Sequence, residues 1–346
     1  MGMALMGVDE VFMDALLRFA NERRHDETEA RSKDDVMDPR KGILLKICAA
    51  LNLVLMGACI SALKGEITIG EVVFFRSLIA MLPLCLWMGM QGRFLQQIAT
   101  RHIGGHFIRS FSGTGGMIFS YMTLAYLPLA DATAISYATP LFTVVLAAFL
   151  LKEVVRIYRW TAVVVGLCGI LVILSPHLAW SGTELSSSAK LGGLFGLTAA
   201  VFSAISMIQI RHLAETENAG AIVFYFTLLT MAVGLASVFF GWDVPNRWQM
   251  LLLAGAGIFG GVAQIFVTLS LRHAEASLLA PFDYTTMIWA LLIGYLFMDQ
   301  IPALTTLGGA AIVIASGLFT LWRERRLRRK LATEQLAAKQ LTLATN

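Results

Sequence analysis

Residues 221–242 read Ala221-Ile-Val-Phe-Tyr-Phe-Thr-Leu-Leu-Thr-Met-Ala-Val-Gly-Leu-Ala-Ser-Val-Phe-Phe-Gly-Trp242. Residues 248–271 follow as Trp248-Gln-Met-Leu-Leu-Leu-Ala-Gly-Ala-Gly-Ile-Phe-Gly-Gly-Val-Ala-Gln-Ile-Phe-Val-Thr-Leu-Ser-Leu271. Neither stretch contains a charge. At 1.5 Å per residue the first would make a helix about 33 Å long, enough to cross the roughly 30 Å hydrocarbon core of a bilayer. Backbone groups in lipid must be satisfied within the segment, which a helix does and a single extended strand does not. A membrane β-barrel needs strands that alternate between apolar and polar residues, and no such alternation is present.

Outward from these two segments the chain reads the same way. Of its 346 residues 57% are hydrophobic and only 14% charged, with a mean hydropathy of +0.70. An ordinary soluble domain carries about 25% charged residues, so this chain cannot cover a water-facing surface. Much of the charge lies before Lys46 and after Leu321. The apolar runs predict spans at 42–63, 71–90, 105–126, 131–151, 160–175, 191–210, 221–242, 248–271, 277–297 and 301–322. The expected fold class is all-α integral membrane, with ten transmembrane helices. Cys48, Cys59, Cys85 and Cys168 sit inside apolar segments without a CxxC pair, and the six histidines have no metal-ligand spacing, so neither a metal nor another cofactor is expected.

Ten spans put both termini on one side. Short loops on that side carry Arg93, Arg101, Lys152, Arg156, Arg159, Arg211 and Arg272, against Lys64, Lys190 and Arg247 on the other. Lys and Arg are retained in cytoplasmic loops, which predicts cytoplasmic termini in a bacterial inner (plasma) membrane. The run Arg323, Arg325, Arg326, Arg328, Arg329, Lys330 opens a basic tail, 323–346. Directly after a span it reads as an anchor touching anionic lipid rather than as a nucleic-acid site. Residues 1–41 form a separate extension. Val8, Val11, Phe12, Ala15, Leu16 and Phe19 recur at helical spacing opposite Asp9, Glu10 and Asp14, and 21–41 is charged and expected to be disordered. The extension lacks the basic start of a secretory signal. A start at Met37 is the alternative, making the preceding residues dispensable.

The two halves resemble each other. Tyr121-Met-Thr-Leu-Ala-Tyr-Leu-Pro-Leu-Ala-Asp aligns with Phe266-Val-Thr-Leu-Ser-Leu-Arg-His-Ala-Glu-Ala, and 142–153 aligns with 289–300. Each half closes with a Gly-bearing apolar helix, Gly166 and Gly169 in one and Gly308, Gly309 and Gly317 in the other. The expected organisation is a first repeat over 42–180, a linker over 181–190 and a second repeat over 191–322. Five helices per repeat is an odd number, so the second repeat enters the membrane inverted. Inverted repeats are a transporter architecture, with the substrate site near the midplane between them.

The segments Glu71-Val-Val-Phe-Phe-Arg-Ser-Leu-Ile-Ala80 and Ala130-Asp-Ala-Thr-Ala-Ile-Ser-Tyr-Ala-Thr-Pro-Leu-Phe142, with Lys152-Glu153 beyond, resemble an EamA-type member of the drug/metabolite transporter superfamily. The likeness runs from about Gly42 to Arg323. It implies ten helices, an inverted repeat, a central cavity and carriage of amino acids, vitamins, nucleotide-like metabolites or drugs. The Phe-Phe-Arg helix and Ile108-Arg-Ser110 are similar to members that take up riboflavin or S-adenosylmethionine. One departure stands out: where the family usually ends its ninth helix with Gly-Glu or Gly-Asp, this chain has Asp299-Gln300.

Candidate site residues follow from the expense of polarity in lipid, about 2.5–3.5 kcal/mol for a charge at mid-helix on insertion scales. Arg76 lies inside the second span and either meets an anionic or carbonyl group of a substrate or snorkels and pairs with Glu71. Arg109, near the cytoplasmic end of the third, has the same two readings, of which snorkelling is favoured. Asp283, two residues after Pro281, is placed to bind a cation or take a proton, or else is a hydrated helix-end carboxylate. Tyr137, Tyr284 and Trp289 offer faces for stacking a planar substrate, with core or lipid packing the alternative. Gln264 is an amide deep in the eighth span. Pro140 and Pro281 are the expected kinks, and Pro-interrupted helices in the two halves point to a transporter site. Gly257/Gly261, Gly192/Gly196 and Ala311/Ala315 are small-residue faces for close helix packing, with a homodimer the alternative use.

GxSxG, P-loop and HExxH motifs are all absent, which argues against an enzyme or an intrinsic ATP motor of the P-loop kind. The reading is a secondary transporter of a small organic metabolite, with a vitamin such as riboflavin, or S-adenosylmethionine, among the candidates. Its alternatives are an amino-acid or drug exporter and, in another class, a membrane-embedded sensor or scaffold that recruits a soluble partner through its tails. Its expected partners are a small-molecule substrate and the lipid bilayer.

Overall fold

The computed structural model describes residues 38–63, 65–90, 92, 94–100, 102–150, 156–178, 184–214, 216–274 and 276–344. The predicted helix over 8–19, the segment 21–37 and Lys152-Glu153 lie outside the described residues. Ten long helices run in chain order: α1 (Pro39–Ala62), α2 (Ile69–Met90), α3 (Ile103–Tyr126), α4 (Leu129–Ser136 continued by Ala138–Leu150), α5 (Ile157–Leu178), α6 (Glu184–Ala214), α7 (Ala219–Ala236), α8 (Arg247–His273), α9 (Ala276–Asp283 continued by Thr285–Met298) and α10 (Leu304–Ala344). No strand occurs among the described residues. Each helix covers one predicted span, so the chain is an all-α membrane protein.

Local chemistry sets several boundaries. Asp38 caps α1 by accepting from Arg40 N at 3.0 Å and Lys41 N at 3.3 Å, with Pro39 in the first turn. Asn246 and Gln249 form a reciprocal capping box at the start of α8, satisfying donors that a helix start leaves open. The helix predicted over 221–242 stops at Ala236. A 3-10 turn over Ser237–Phe240 follows, then Gly241 at φ +83°, a conformation that glycine adopts without a Cβ clash. Trp242 is thereby turned back onto Phe74 and Phe75. Glu184–Lys190, expected within a linker, is instead the start of α6. The basic tail likewise continues α10 to Ala344, in a stretch rich in Arg, Lys, Leu, Ala and Gln with no Gly or Pro to end it.

Among the described residues nine helices are long and apolar enough to cross a membrane; α3 is the exception. Its polar residues His106, Arg109, Ser110, Ser112, Thr114 and Thr123 are all buried, whereas Ile103, Phe107, Ile108 and Phe111 are exposed. A water-soluble amphipathic helix would show the opposite arrangement. Here apolar side chains face lipid and polar ones face the bundle.

The packing is two-fold. α1 lies against α8 as α3 lies against α6; α2 meets α8 as α7 meets α3; α9 meets α1 as α4 meets α6. Two pairs, α2 with α7 and α5 with α10, are their own mates. This is the pattern of two inverted five-helix repeats. Close approach uses small residues: Gly169 of α5 faces Gly309 of α10 so tightly that a Cβ on either would stand within 2.9 Å of the other's carbonyl oxygen. Gly257 and Gly261 of α8 lie on Ile79, Ala80 and Pro83 of α2, and Gly192 and Gly196 of α6 on Leu127 and Ile135. Arg159 of α5 pairs with Glu324 of α10 at 2.7 Å.

Candidate functional site

Two helices are interrupted at related positions. The break in α4 falls at Tyr137, and that in α9 at Tyr284, positions matched by the same offset that aligns 142–153 with 289–300. Pro140 lies three residues beyond the first break and lacks the N–H that would bond to the carbonyl of Ser136. Pro281 lies three residues before the second. The two tyrosines touch, with ring centroids 5.2 Å apart at 72°. The Tyr137 hydroxyl lies 2.6 Å from Thr286 Oγ1 and donates at 3.3 Å to the Tyr284 carbonyl, which also accepts from Met287 N at 3.1 Å. The Tyr284 hydroxyl occupies space beside Gly317 that any side chain there would fill.

Arg76 and Gln264 come together elsewhere, lining one narrow cavity with Leu84 of α2, Phe226 and Thr227 of α7, and Gly260 of α8. It lies between the repeats and is narrow, with room for about one water molecule. Arg76 is 4% exposed. Its Nη1 is 3.3 Å from Met117 Sδ and its Nη2 3.6 Å from Met56 Sδ, and Nε has no partner. Met117 and Gly260 each stand near the middle of their helices, which puts the guanidinium level with the middle of α3 and α8. Among the described residues no carboxylate is within ion-pair distance of Arg76. Glu71, the partner considered from sequence, is five residues away, about 140° around the helix at 100° per residue, and lies beside Thr68 and Asp243.

The expected snorkelling of Arg109 is corrected. The residue is 6% exposed, with its guanidinium 4.1 Å from the centre of the Phe226 ring. Nε and Nη1 have no hydrogen-bond partner. Its helix turns its polar face inward, so the side chain points into the bundle. Of the two readings of Asp283 its exposure fits the hydrated helix-end carboxylate: the side chain is 57% exposed and pairs with Lys46 of α1 at 2.7 Å, at the end of the first segment of α9 and away from the Arg76 cavity. Trp289 packs against the cluster of Val54 of α1, Leu129, Ala290 and Ile293, its indole N–H buried without a partner. The six residues considered together therefore occupy four places. Gln300, at the family departure, accepts from Leu129 N at 3.0 Å and so caps α4 from the other repeat. Asp131 nearby accepts from Thr306 Oγ1 at 2.6 Å. Sequence reasoning did not single out Phe226, Thr227 or the buried Thr114–Thr230 contact at 2.9 Å; their only signal was polarity on the inward face of α3 and its neighbours.

Ten membrane helices in two inverted repeats, with a charged cavity between the repeats and a break in one helix of each, define a secondary-transporter architecture. Comparison with known proteins gives the family. The chain belongs to the EamA-like transporter family, whose model matches residues 40–175 and again 190–322. It is 29% identical over 281 residues to a pseudopaline exporter of Pseudomonas aeruginosa, covering 80% of this chain and 94% of that one. It is 28% identical over 259 residues to an S-adenosylmethionine uptake transporter of Rickettsia prowazekii, 74% and 84% of the two chains. It is also 28% identical over 300 residues to a riboflavin transporter of Vibrio cholerae, 84% and 97%. A solved crystal structure superposes with a TM-score of 0.60 at 18% identity, covering 83% of this chain and 98% of that one, a likeness of fold.

Proposed function

We propose that the protein carries a small organic metabolite across the bacterial inner membrane by alternating access, with both termini in the cytoplasm. The observation that supports this best is the cavity itself: a buried arginine without a carboxylate partner, level with the middle of α3 and α8, between α2 of one repeat and α7 and α8 of the other. A cavity with room for about one water is too narrow for a metabolite, which enters only when the repeats rock apart. The breaks at Tyr137 and Tyr284 supply deformable points in two symmetry-related helices. The Lys46–Asp283 pair bridges α1 and α9 beside one of them, so a proton on Asp283 would release that bridge and couple transport to the proton gradient. Riboflavin and S-adenosylmethionine, the cargo named for two relatives, are the first candidates.

The test is flux of labelled riboflavin and S-adenosylmethionine in proteoliposomes, with and without a pH gradient, for the wild type, Arg76→Gln and Asp283→Asn. The expected result is saturable flux lost in Arg76→Gln and indifferent to the gradient in Asp283→Asn. Flux unchanged in Arg76→Gln rejects the cavity as the path, and intact pH coupling in Asp283→Asn rejects the bridge.

A further inference from the structure

We infer that the cavity is an oxyanion site, in which Arg76 and Arg109 hold a carboxylate or phosphate group of the substrate. This rests on the transporter reading and adds the substrate's charge class. Phe226 links the two cations: it lines the cavity with Arg76 and carries the Arg109 guanidinium on its ring. Buried charges in proteins are ordinarily paired, and here neither is. Asp131 accepts from Thr306, Asp283 pairs with Lys46 away from the cavity, and Glu217 lies 3.5 Å from His106. Glu71 is buried on the same helix as Arg76 but about 140° around it, beside Thr68 and Asp243. Among the described residues neither guanidinium therefore has a carboxylate within ion-pair distance.

The present contacts of Arg76 are replaceable. A thioether sulfur is a weak acceptor, and methionine is the most adaptable of the long apolar side chains. Met56 and Met117 can withdraw as an oxyanion arrives, exchanging two poor acceptors for charge-assisted bonds. The Tyr121 hydroxyl, buried and without a partner, is a further donor close enough to Arg76 to feel its charge. Room is kept by glycine. A Cβ at Gly260 would stand 2.8 Å from Arg76 Nη2, and one at Gly113 would collide with Arg109 Nη1.

Matched ligand pairs test the inference on the full-length protein in detergent, read as thermal stabilisation. Flavin mononucleotide is compared with riboflavin for phosphate, S-adenosylmethionine with its decarboxylated form for carboxylate, and succinate and inorganic phosphate serve as minimal probes. The expected result is that at least one oxyanion-bearing compound binds about tenfold or more tightly than its matched partner. The preference should vanish in Arg76→Gln and survive, weakened, in Arg76→Lys. A ligand-free arm is independent of the panel. Unpaired buried cations are destabilising, so Arg76→Met should raise Tm by about 2 °C or more. A fall in Tm for that variant, or no response to any oxyanion, overturns the inference. Riboflavin binding that equals flavin mononucleotide binding and survives Arg76→Gln overturns it too, while leaving the transporter reading in place.

Discussion

Gly308 and Gly309 are neighbours in α10, yet alanine should act oppositely at the two. A Cβ at Gly309 would stand 2.5 Å from Gly169 O, 2.5 Å from Ile173 Cγ1 and 3.0 Å from Ile173 N, where ordinary contact begins at 3.4 Å. Two of these atoms are backbone, so no rotamer change relieves the clash, and α5 and α10 must part by about 1 Å at their crossing. Overpacking of this kind costs about 1–3 kcal/mol, partly offset by the gain of up to about 1 kcal/mol from replacing a helical glycine by alanine. At Gly308 nothing lies within 4 Å, so only that gain operates. Thermal unfolding of the purified full-length variants should show Gly309→Ala below the wild type by about 2 °C or more and Gly308→Ala level or above. Gly169→Ala should resemble Gly309→Ala, and because the two glycines share one contact the double variant should lose less than the sum. Equal Tm values for Gly308→Ala and Gly309→Ala would refute the crossing described here.

Gln300→Leu removes the side-chain acceptor of the Leu129 N–H, a loss comparable to deleting an N-cap, about 0.5–2 kcal/mol; Gln300→Glu keeps the acceptor and should recover most of the lost Tm. Tyr137→Phe deletes the hydroxyl shared by Thr286 and the Tyr284 carbonyl, which should lower Tm by the equivalent of about 1 kcal/mol and alter turnover more than apparent affinity in the flux assay. An unchanged turnover would detach the paired breaks from the transport cycle.

The predicted spans and the observed helices coincide to within a few residues through most of the chain because the bilayer imposes a one-dimensional rule: enough consecutive apolar residues make a crossing. Where the two part, a local cause is visible. Gly241 and the Ser237 turn end α7 early, and the helix-favouring tail prolongs α10. α3, the span that falls short of the length-and-hydropathy rule, carries its polar residues on the buried side and Ile103, Phe107, Ile108 and Phe111 on the exposed side.

The site was legible only in part. Arg76 and Gln264 could be named as costly intramembrane groups, and they do share a cavity. Spacing along a chain carries no information on which helix faces which. That is why Asp283 met Lys46, Trp289 met α1, and Arg109 turned inward onto Phe226 from a helix 117 residues earlier. Composition and hydropathy by themselves determined that this chain lives in a membrane as ten helices, and internal likeness with an odd helix count per half determined the inversion. Tertiary packing alone decided which polar groups meet, because in a bundle the rotation of each helix is set by contacts with its neighbours, and a glycine such as Gly260 gains its meaning only from the arginine packed against it.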